Sequence, residues 1–229
     1  MKKLRKFITV SVAVMTILSM SVAVAPKAGA TASAGDLIKM SGLSSVYYLA
    51  ADGKRYVFPN ESTYFSWYSN FSGVVTIAQS ELESYPLGKN VTVRPGTKLV
   101  KITTNPKVYA VEPNGSLVWL KSEAAGITLY GANWAKRVID VSDAFFTNYT
   151  IATKELDGTA YPLGSLIKSA TGADVYYIGT DGKAQKVTTE AAFNANRFSW
   201  GDVLTSTLAI PTAGTDIIAA ESALGDTSS

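Results

Sequence analysis

Carboxylates are the side chains in this sequence best suited to acid–base chemistry. The chain has no histidine and no cysteine, so the commonest general base, the usual zinc ligands and the thiol nucleophile are missing. This excludes Ser-His-Asp and Cys-His catalysis. A pair of carboxylates can still hydrolyse a glycosidic bond, so a carboxylate hydrolase is the enzymatic alternative.

The acidic residues that recur at fixed places have simpler local explanations. They are Asp52, Asp181, Glu61, Glu123 and Glu190. The aspartates precede a glycine, as is typical of hairpin turns, and the glutamates follow a capping residue, as is typical of a helix start. The middle turn carries Asn114, which suits a turn and cannot act as an acid. We therefore predict no enzymatic activity, no catalytic residue and no cofactor.

Calcium is a second chemistry to consider, because Asp140 and Asp143 place two carboxylates close together in the sequence. The chain lacks the aspartate-rich twelve-residue loop of an EF-hand. We interpret these two residues as solvated surface acids and predict no metal site.

One pattern of residue types and spacing occurs three times along the chain. A Leu-Ile-Lys or Leu-Val-Lys sequence begins at Leu37, Leu99 and Leu166. A Val-Tyr pair starts nine residues later, an Asp-Gly or Asn-Gly pair six residues after that valine, and a glutamate nine residues after the Asp or Asn. Self-similarity at a period of about 60 residues indicates repeated supersecondary units, which present surfaces more often than they perform chemistry.

Each copy contains signals for a hairpin, a helix and a further strand. Two β-rich runs flank the Asp-Gly or Asn-Gly pair, and a two-residue turn would place Leu49 opposite Tyr56 on the core face of the first hairpin. A short helix should begin at the glutamate. The aromatic residues that follow should plug the core before another strand begins; they are Phe71, Trp134 and Trp200.

We predict an α+β fold of three tandem β-hairpin–short helix–strand repeats packed together. The segments are a signal peptide at 1–30, repeat 1 at 31–94, repeat 2 at 95–162, repeat 3 at 163–210 and a flexible tail at 211–229. Extra residues around 154–159 look like a surface insertion. The tail is rich in Ala, Thr, Ser and Gly, and shows no further strong hydrophobic pattern.

The amino-terminal segment predicts export. Basic residues precede an uncharged apolar stretch from Ile8 to Ala25, and Ala28-Gly29-Ala30 fits a cleavage site; a retained transmembrane anchor is the alternative. Five of the 21 Lys and Arg residues and none of the 18 Asp and Glu residues precede residue 31, so cleavage changes the net charge from +3 to about −2. This balance argues against a nucleic-acid partner. We expect the protein to contact a membrane only through the signal segment, before that segment is cleaved.

The repeats resemble a tandem module of bacterial surface-layer-like and cell-envelope proteins. The residues that carry the resemblance lie mainly in repeat 1: Asp36-Leu37-Ile38-Lys39, Ser45-Val46-Tyr47-Tyr48-Leu49, the stretch from Asp52 to Asn60, and Phe65-Ser66-Trp67-Tyr68. The resemblance implies a secreted or cell-surface location and a structural, non-catalytic role. The expected partners are the protein itself or other envelope proteins, and we expect self-association to use the hairpin edges and exposed aromatic faces.

Aromatic side chains supply the alternative function, binding of a cell-wall glycan. Most of them should pack in the core, because a core must be rebuilt in every repeat. The residues that we expect on the opposite hairpin face, available for surface or glycan contacts, are Tyr48, Trp119 and Tyr177.

Overall fold

Three β-sheets, each formed by one continuous stretch of chain, make the framework of the protein. The computed structural model describes residues 31–228, so the predicted signal peptide lies outside the described residues. Within that range the fold is mixed α/β, with sheets of five, five and four strands and six α-helices. The predicted segment boundaries at 94/95 and 162/163 fall in the connections between sheets.

Unit 1 contains the first sheet and two helices. Its elements are β1 (Leu37–Met40), β2 (Tyr47–Leu49), β3 (Arg55–Val57), α1 (Glu61–Trp67), β4 (Val74–Ile77), α2 (Gln79–Ser84) and β5 (Leu87–Asn90). The strand order is β4-β1-β2-β3-β5, with β4 and β5 parallel to their neighbours. The β2–β3 hairpin therefore lies inside the sheet and does not form its edge.

Unit 2 contains the second sheet, which has the same order of corresponding strands. Its elements are β6 (Leu99–Ile102), β7 (Asn105–Glu112), β8 (Ser116–Leu120), α3 (Glu123–Tyr130), β9 (Val138–Asp140), α4 (Asp143–Phe146) and β10 (Thr150–Leu156). The order is β10-β8-β7-β6-β9. The residues interpreted as a surface insertion thus overlap an edge strand, β10, which pairs with β8.

Unit 3 contains the third sheet and the carboxyl-terminal segment. Its elements are β11 (Leu166–Ser169), β12 (Val175–Ile178), β13 (Ala184–Val187), α5 (Glu190–Ala195), β14 (Val203–Ser206) and α6 (Ser222–Gly225). The strand order is β13-β12-β11-β14. Ala213 and Ile217 form isolated parallel bridges to β13, at the place that β5 and β10 occupy in the other sheets.

The predicted helix starts are confirmed in all three units. α1, α3 and α5 begin at Glu61, Glu123 and Glu190, and the preceding side chain accepts a hydrogen bond from a backbone N–H three residues on in each case. The oxygen–nitrogen distances are 2.8, 3.2 and 3.0 Å. An N-cap side chain satisfies one of the four unpaired N–H groups of the first turn, and the glutamate favours the positive end of the helix dipole.

The predicted hairpin register was wrong by one residue. The first loop has three residues, 51–53, and ends in Gly53 with φ +76°, so Leu49 pairs with Arg55 rather than with Tyr56. A three-residue loop that ends in a left-handed glycine adds one residue to the turn and shifts the pairing accordingly. The other two hairpins show the same offset of one residue.

The first sheet is buried on both faces, whereas the sequence predicted one core face. α1 places Tyr64 and Trp67 in a cluster with Tyr48, and α2 places Leu82 in a second cluster with Leu49. Adjacent residues of β2 therefore both lie in a core. A hydrophobic run without alternation is typical of a strand that is covered on both sides.

The third sheet takes part of its cover from unit 2. Leu129 of α3 belongs to one cluster with Leu99 of the second sheet and with Ile167 and Leu204 of the third. α5 covers the other face, where Phe193 packs with Tyr177. One helix of unit 2 therefore contributes to the cores of two sheets.

The carboxyl-terminal segment differs from the flexible tail that the sequence predicted. Ile217 is 2% exposed and lies in the core of unit 3, and Thr227 is fully buried. The backbone of Ile217 donates to Lys186 O at 2.8 Å and accepts from Thr188 N at 3.1 Å. The sequence did not indicate this packing, because the segment has few hydrophobic residues. A single isoleucine, Ile217, and backbone hydrogen bonds make most of its contacts with unit 3.

Candidate functional site

The aromatic residues selected from the sequence do not form an exposed surface. Tyr48 is 7% exposed and Tyr177 is 8% exposed, so this expectation was wrong for both. Tyr48 lies beneath α1, and the Tyr177 ring stacks on Phe198 with centroids 5.7 Å apart. The cause is that both faces of these sheets are covered, so the face opposite the expected core is buried as well.

Trp119 is half-buried and packs against the core of unit 2 on the face that carries Tyr109. The ammonium of Lys107 lies 4.3 Å from its ring centroid, in a cation–π contact. The ring is therefore already partnered on one face, and the three predicted residues lie in three different units.

The recurring aspartates hold turns. Asp52 Oδ1 accepts from Lys54 N at 3.0 Å, and Asp181 Oδ1 accepts from Lys183 N at 3.1 Å. These backbone hydrogen bonds lower the pKa of both carboxyl groups below their usual range. Both side chains are ionised and locally bonded, as their role in a turn requires.

Asp140 and Asp143 are engaged separately. Lys101 Nζ lies 2.6 Å from an Asp140 carboxylate oxygen, and Asp143 accepts from Thr104 Oγ1 at 3.0 Å. Across residues 31–228 the structure contains no group of three or more acidic side chains arranged to hold a metal ion.

The aromatic residues that we expected to plug the core between each helix and the next strand lie over the helices instead, and their exposed fractions differ. They are Phe71, Trp134 and Trp200. Phe71 stacks on Tyr64 of α1 at 4.3 Å, and Trp200 stacks on Phe193 of α5 at 4.4 Å. Phe71 is 47% exposed and Trp200 is 61% exposed, so their outer faces meet solvent. The plug assignment was therefore wrong for both.

The corresponding ring of unit 2, Trp134, is half-buried. It lies against Gly126, where an added Cβ would be 2.8 Å from the ring. The equivalent position in each helix, three residues after the shared glutamate, is occupied by Tyr64 in α1, Gly126 in α3 and Phe193 in α5. The smaller residue lets the tryptophan sit directly on the α3 backbone, which explains its lower exposure.

The connection between units 1 and 2 is buried and joins all three units. Arg94 is 6% exposed, and its guanidinium lies over Trp67 and Phe198 at 5.3 and 5.2 Å. It also donates to the backbone oxygens of Asn196 and Arg197. Burial lowers the pKa of Arg94 to about 10, with the nearby Arg197 charge acting in the same direction.

A second contact at this connection needs glycine. Gly96 has φ +72°, and a Cβ there would lie 2.2 Å from the backbone of Gly164 in the next connection. The two connections therefore touch backbone to backbone. No residue with a side chain fits at Gly96 without moving one of them.

Two clefts of about 500 Å³ occur in the described residues. One of them lies between α1 and the end of α5, and we call it the α1–α5 cleft. Its walls come from units 1 and 3. The side chains most relevant to binding are Phe65, Tyr68, Asn70, Ser72, Asn194 and Ser199. Arg197 stacks on Tyr68, with the guanidinium carbon 4.7 Å from the ring centroid, and so joins the two walls.

The charged groups of this cleft have partners within the protein. Asp202 lies 3.6 Å from both Lys98 Nζ and an Arg137 nitrogen, and burial raises the pKa of its carboxyl group. Asp36 accepts from Ser33 N at 2.8 Å, and Arg197 donates to Gly225 O. The other lining groups are mainly an aromatic ring, hydroxyls and carboxamides. Among these, Ser72 Oγ donates to Asn70 Oδ1 at 2.5 Å, and Ser199 Oγ accepts from Gly201 N at 3.2 Å.

Sequence reasoning missed this cleft because its walls are far apart in the chain. One local signal was available: Phe65 and Asn194 occupy the same place, four residues after the shared glutamate of their helices. That spacing puts both on the same helix face. Nothing in the sequence shows that these two faces meet.

Two further findings concern membrane-spanning helices and similarity to known proteins. No helix in the described part of the chain has the length and apolar character needed to cross a bilayer. Comparison with protein-family models finds no matching family, and comparison with curated proteins finds no significant similarity.

Proposed function

We propose that this chain is an exported, non-catalytic structural repeat protein of a bacterial cell surface, acting by self-association or adhesion. The export signal in the sequence and the resemblance to envelope modules support the location. The related folding of the three units supports the repeat interpretation. The use of the recurring acids in turns and helix starts supports a role without catalysis.

The observation that carries the proposal is the stacking of Phe71 and Trp200. Each ring lies flat on another aromatic ring of its own unit and keeps its outer face in solvent. A ring held in this way loses little conformational freedom when a partner covers it, which favours association. Two units thus present the same kind of contact at corresponding places.

The strand edges fit this proposal less well than expected. Both strands of each hairpin have neighbours on both sides, so the hairpin edges predicted to mediate self-association are occupied. The outer strand β10 has an irregular register between Ile151 and Glu155. The other outer strands β4, β5, β9 and β14 have only three or four residues. Irregular and very short edges hinder pairing with another chain, which favours the aromatic faces as the contact surfaces.

The test is cell fractionation followed by electron microscopy of the purified full chain. We expect the protein in the envelope fraction and ordered or extended assemblies in the images. Replacing Phe71 and Trp200 together by alanine should abolish assembly. Replacing Leu87 and Ile218, which are 62% and 72% exposed, should leave it intact. Cytosolic protein with its leader retained would contradict the location, and intact assemblies of the aromatic double variant would contradict the mechanism.

A second candidate function, recognition of a cell-wall glycan, is favoured by the composition of the α1–α5 cleft. Aromatic and neutral polar side chains line it, and its volume of about 500 Å³ lies in the range of small-molecule sites. Co-sedimentation of the full chain with purified cell wall tests this function. Binding by a protein that stays monomeric would favour it over self-association.

A further inference from the structure

The walls of the α1–α5 cleft come from corresponding places of two helices. Phe65 and Asn194 lie four residues after the shared glutamate, and Tyr68 and Arg197 lie seven residues after it. All four line the cleft. The Tyr68–Arg197 contact links the two sides, so the cleft is a defined feature of how units 1 and 3 dock.

The apolar part of the cleft is the solvent-accessible aromatic ring of Phe65. Phe65 is 42% exposed and is held edge-on by Tyr64 at 5.5 Å and by Phe71 at 5.2 Å. These contacts restrict the ring before any ligand binds. A fixed aromatic face suits the C–H face of a sugar ring, which is flat and apolar, better than a long flexible chain.

The polar part is neutral and can both donate and accept hydrogen bonds. Asn194 and Ser199 on one wall, and Asn70 and Ser72 on the other, carry carboxamides and hydroxyls. Two carboxylates, Asp36 and Asp202, line the cleft together with Arg197. Asp202 is paired with Lys98 and Arg137, and the Arg197 guanidinium is bonded to Gly225 O and stacked on Tyr68. An anionic ligand would therefore have to compete with partners that these cations already have.

From these observations we infer that the α1–α5 cleft binds a neutral saccharide of one or two rings, stacked on Phe65 and hydrogen-bonded by Asn194. This inference rests on the second candidate function and names its site. The ligand class follows from an exposed ring in a cleft that hydroxyl and carboxamide groups also line, and from charged groups that have partners within the protein.

Unit 2 supplies a matched control. Ile127 of α3 occupies the same place as Phe65 and Asn194, is 46% exposed, and does not line the cleft. Its replacement by alanine removes an exposed apolar group from the corresponding helix face. A general effect of surface hydrophobicity would appear in this variant as well.

The experiment is titration calorimetry of the full chain with N-acetylglucosamine oligomers. A glycerol-phosphate polymer serves as the anionic probe, and cell-wall co-sedimentation is run in parallel. We expect the neutral oligomer to bind in preference to the polymer. F65A should weaken binding about tenfold and N194A about fivefold, whereas I127A should bind like the original protein. Thermal denaturation checks folding; Asn194 is an exposed helix residue, so N194A is a test that does not depend on core packing.

Each of the other possible outcomes would contradict one specific part of the inference: the site, the glycan-binding function or the neutral ligand. Oligomer binding that is unchanged in F65A and N194A would overturn the site and leave glycan recognition standing. Absence of binding to both oligomers and cell wall would overturn the second candidate function itself. Preference for the anionic polymer, or release of shorter sugars from the oligomers, would overturn the assignment of a neutral binding site.

Discussion

Units 1 and 3 share a hairpin and a capped helix but complete their sheets differently. In unit 1, α2 covers the second face and β5 pairs with β3. In unit 3, α3 of unit 2 covers that face, and the segment with Ala213 and Ile217 lies beside β13. The structure places no helix between β14 and Ala213. Unit 1 therefore has a core made by its own residues, whereas unit 3 depends on the rest of the chain.

This difference bears on how the protein presents its surfaces. Unit 3 carries Trp200 and one wall of the α1–α5 cleft, and contacts from the other units hold it in place. Arg137 of unit 2 donates to Gly201 O at 3.1 Å, directly beside Trp200. The positions of Trp200 and of this cleft wall are thus coupled to the packing between units.

Removal of residues 211–229 is expected to have the largest effect. The deletion strips β13 of its outer neighbour and removes Ile217 from the core of unit 3. The free energy of unfolding should fall by at least about 3 kcal/mol, which is the cost expected for loss of the buried Ile217 side chain alone. Urea denaturation measures this loss, and hydrogen exchange should show lost protection in β12 and β13 while β1 and β2 stay protected.

A pair of adjacent substitutions controls for the deletion. Ile217→Ala should cost about 3 kcal/mol, whereas Ile218→Ala, at a side chain that is 72% exposed, should change stability by less than about 0.5 kcal/mol. Equal effects at the two positions would show that Ile217 does not contribute to the core as described.

The shared helix is tested by two leucine substitutions. Leu129 in α3 and Leu82 in α2 are 1% and 5% exposed, and replacement of either by alanine should cost about 3 kcal/mol. L129A should reduce hydrogen-exchange protection in the second and third sheets, whereas L82A should act on the first sheet alone. Loss confined to the second sheet in L129A would contradict the dependence of unit 3 on α3.

Arg94 tests the contact that joins the units. Arg94→Met removes hydrogen bonds to the backbone of Asn196 and Arg197 and should cost about 2 kcal/mol. Arg55→Met is the matched control, because Arg55 also lies over an aromatic ring and donates to a carbonyl, but entirely within unit 1. R94M should separate the unfolding of units 1 and 3 into two transitions. A single transition in R94M would show that other contacts suffice for coupling.

Local signals made part of this fold predictable from the sequence. The three helix starts depend on a cap and a glutamate next to one another, so short-range chemistry fixes them. α2 and α4 were missed because they have six and four residues and no side-chain cap. The hairpins were predictable as hairpins, but their register depended on one extra loop residue.

Exposure was harder to predict, because it depends on which unit covers which face. Tyr48 is buried by a helix later in the chain, whereas Phe71 and Trp200 lie on top of aromatic rings and remain exposed. The α1–α5 cleft needs the docking of Phe65 and Asn194 from units far apart in sequence. Composition and spacing carry no information on that arrangement.

The smallest expected effect is acid sensitivity of the hairpin turns, which units 1 and 3 share and unit 2 lacks. The folded state lowers the pKa of Asp52 below 3.8, because Lys54 N–H bonds to the carboxylate. Its stabilisation is therefore present above about pH 3.8 and is lost as the pH falls through the lower, folded-state pKa. Asp52→Asn should keep the turn, because a carboxamide oxygen can also accept the hydrogen bond from Lys54 N, and should remove this pH dependence. Urea midpoints measured at pH 7 and pH 3 should differ less in D52N than in the original chain; an unchanged difference would mean that the turn aspartate does not contribute to acid sensitivity.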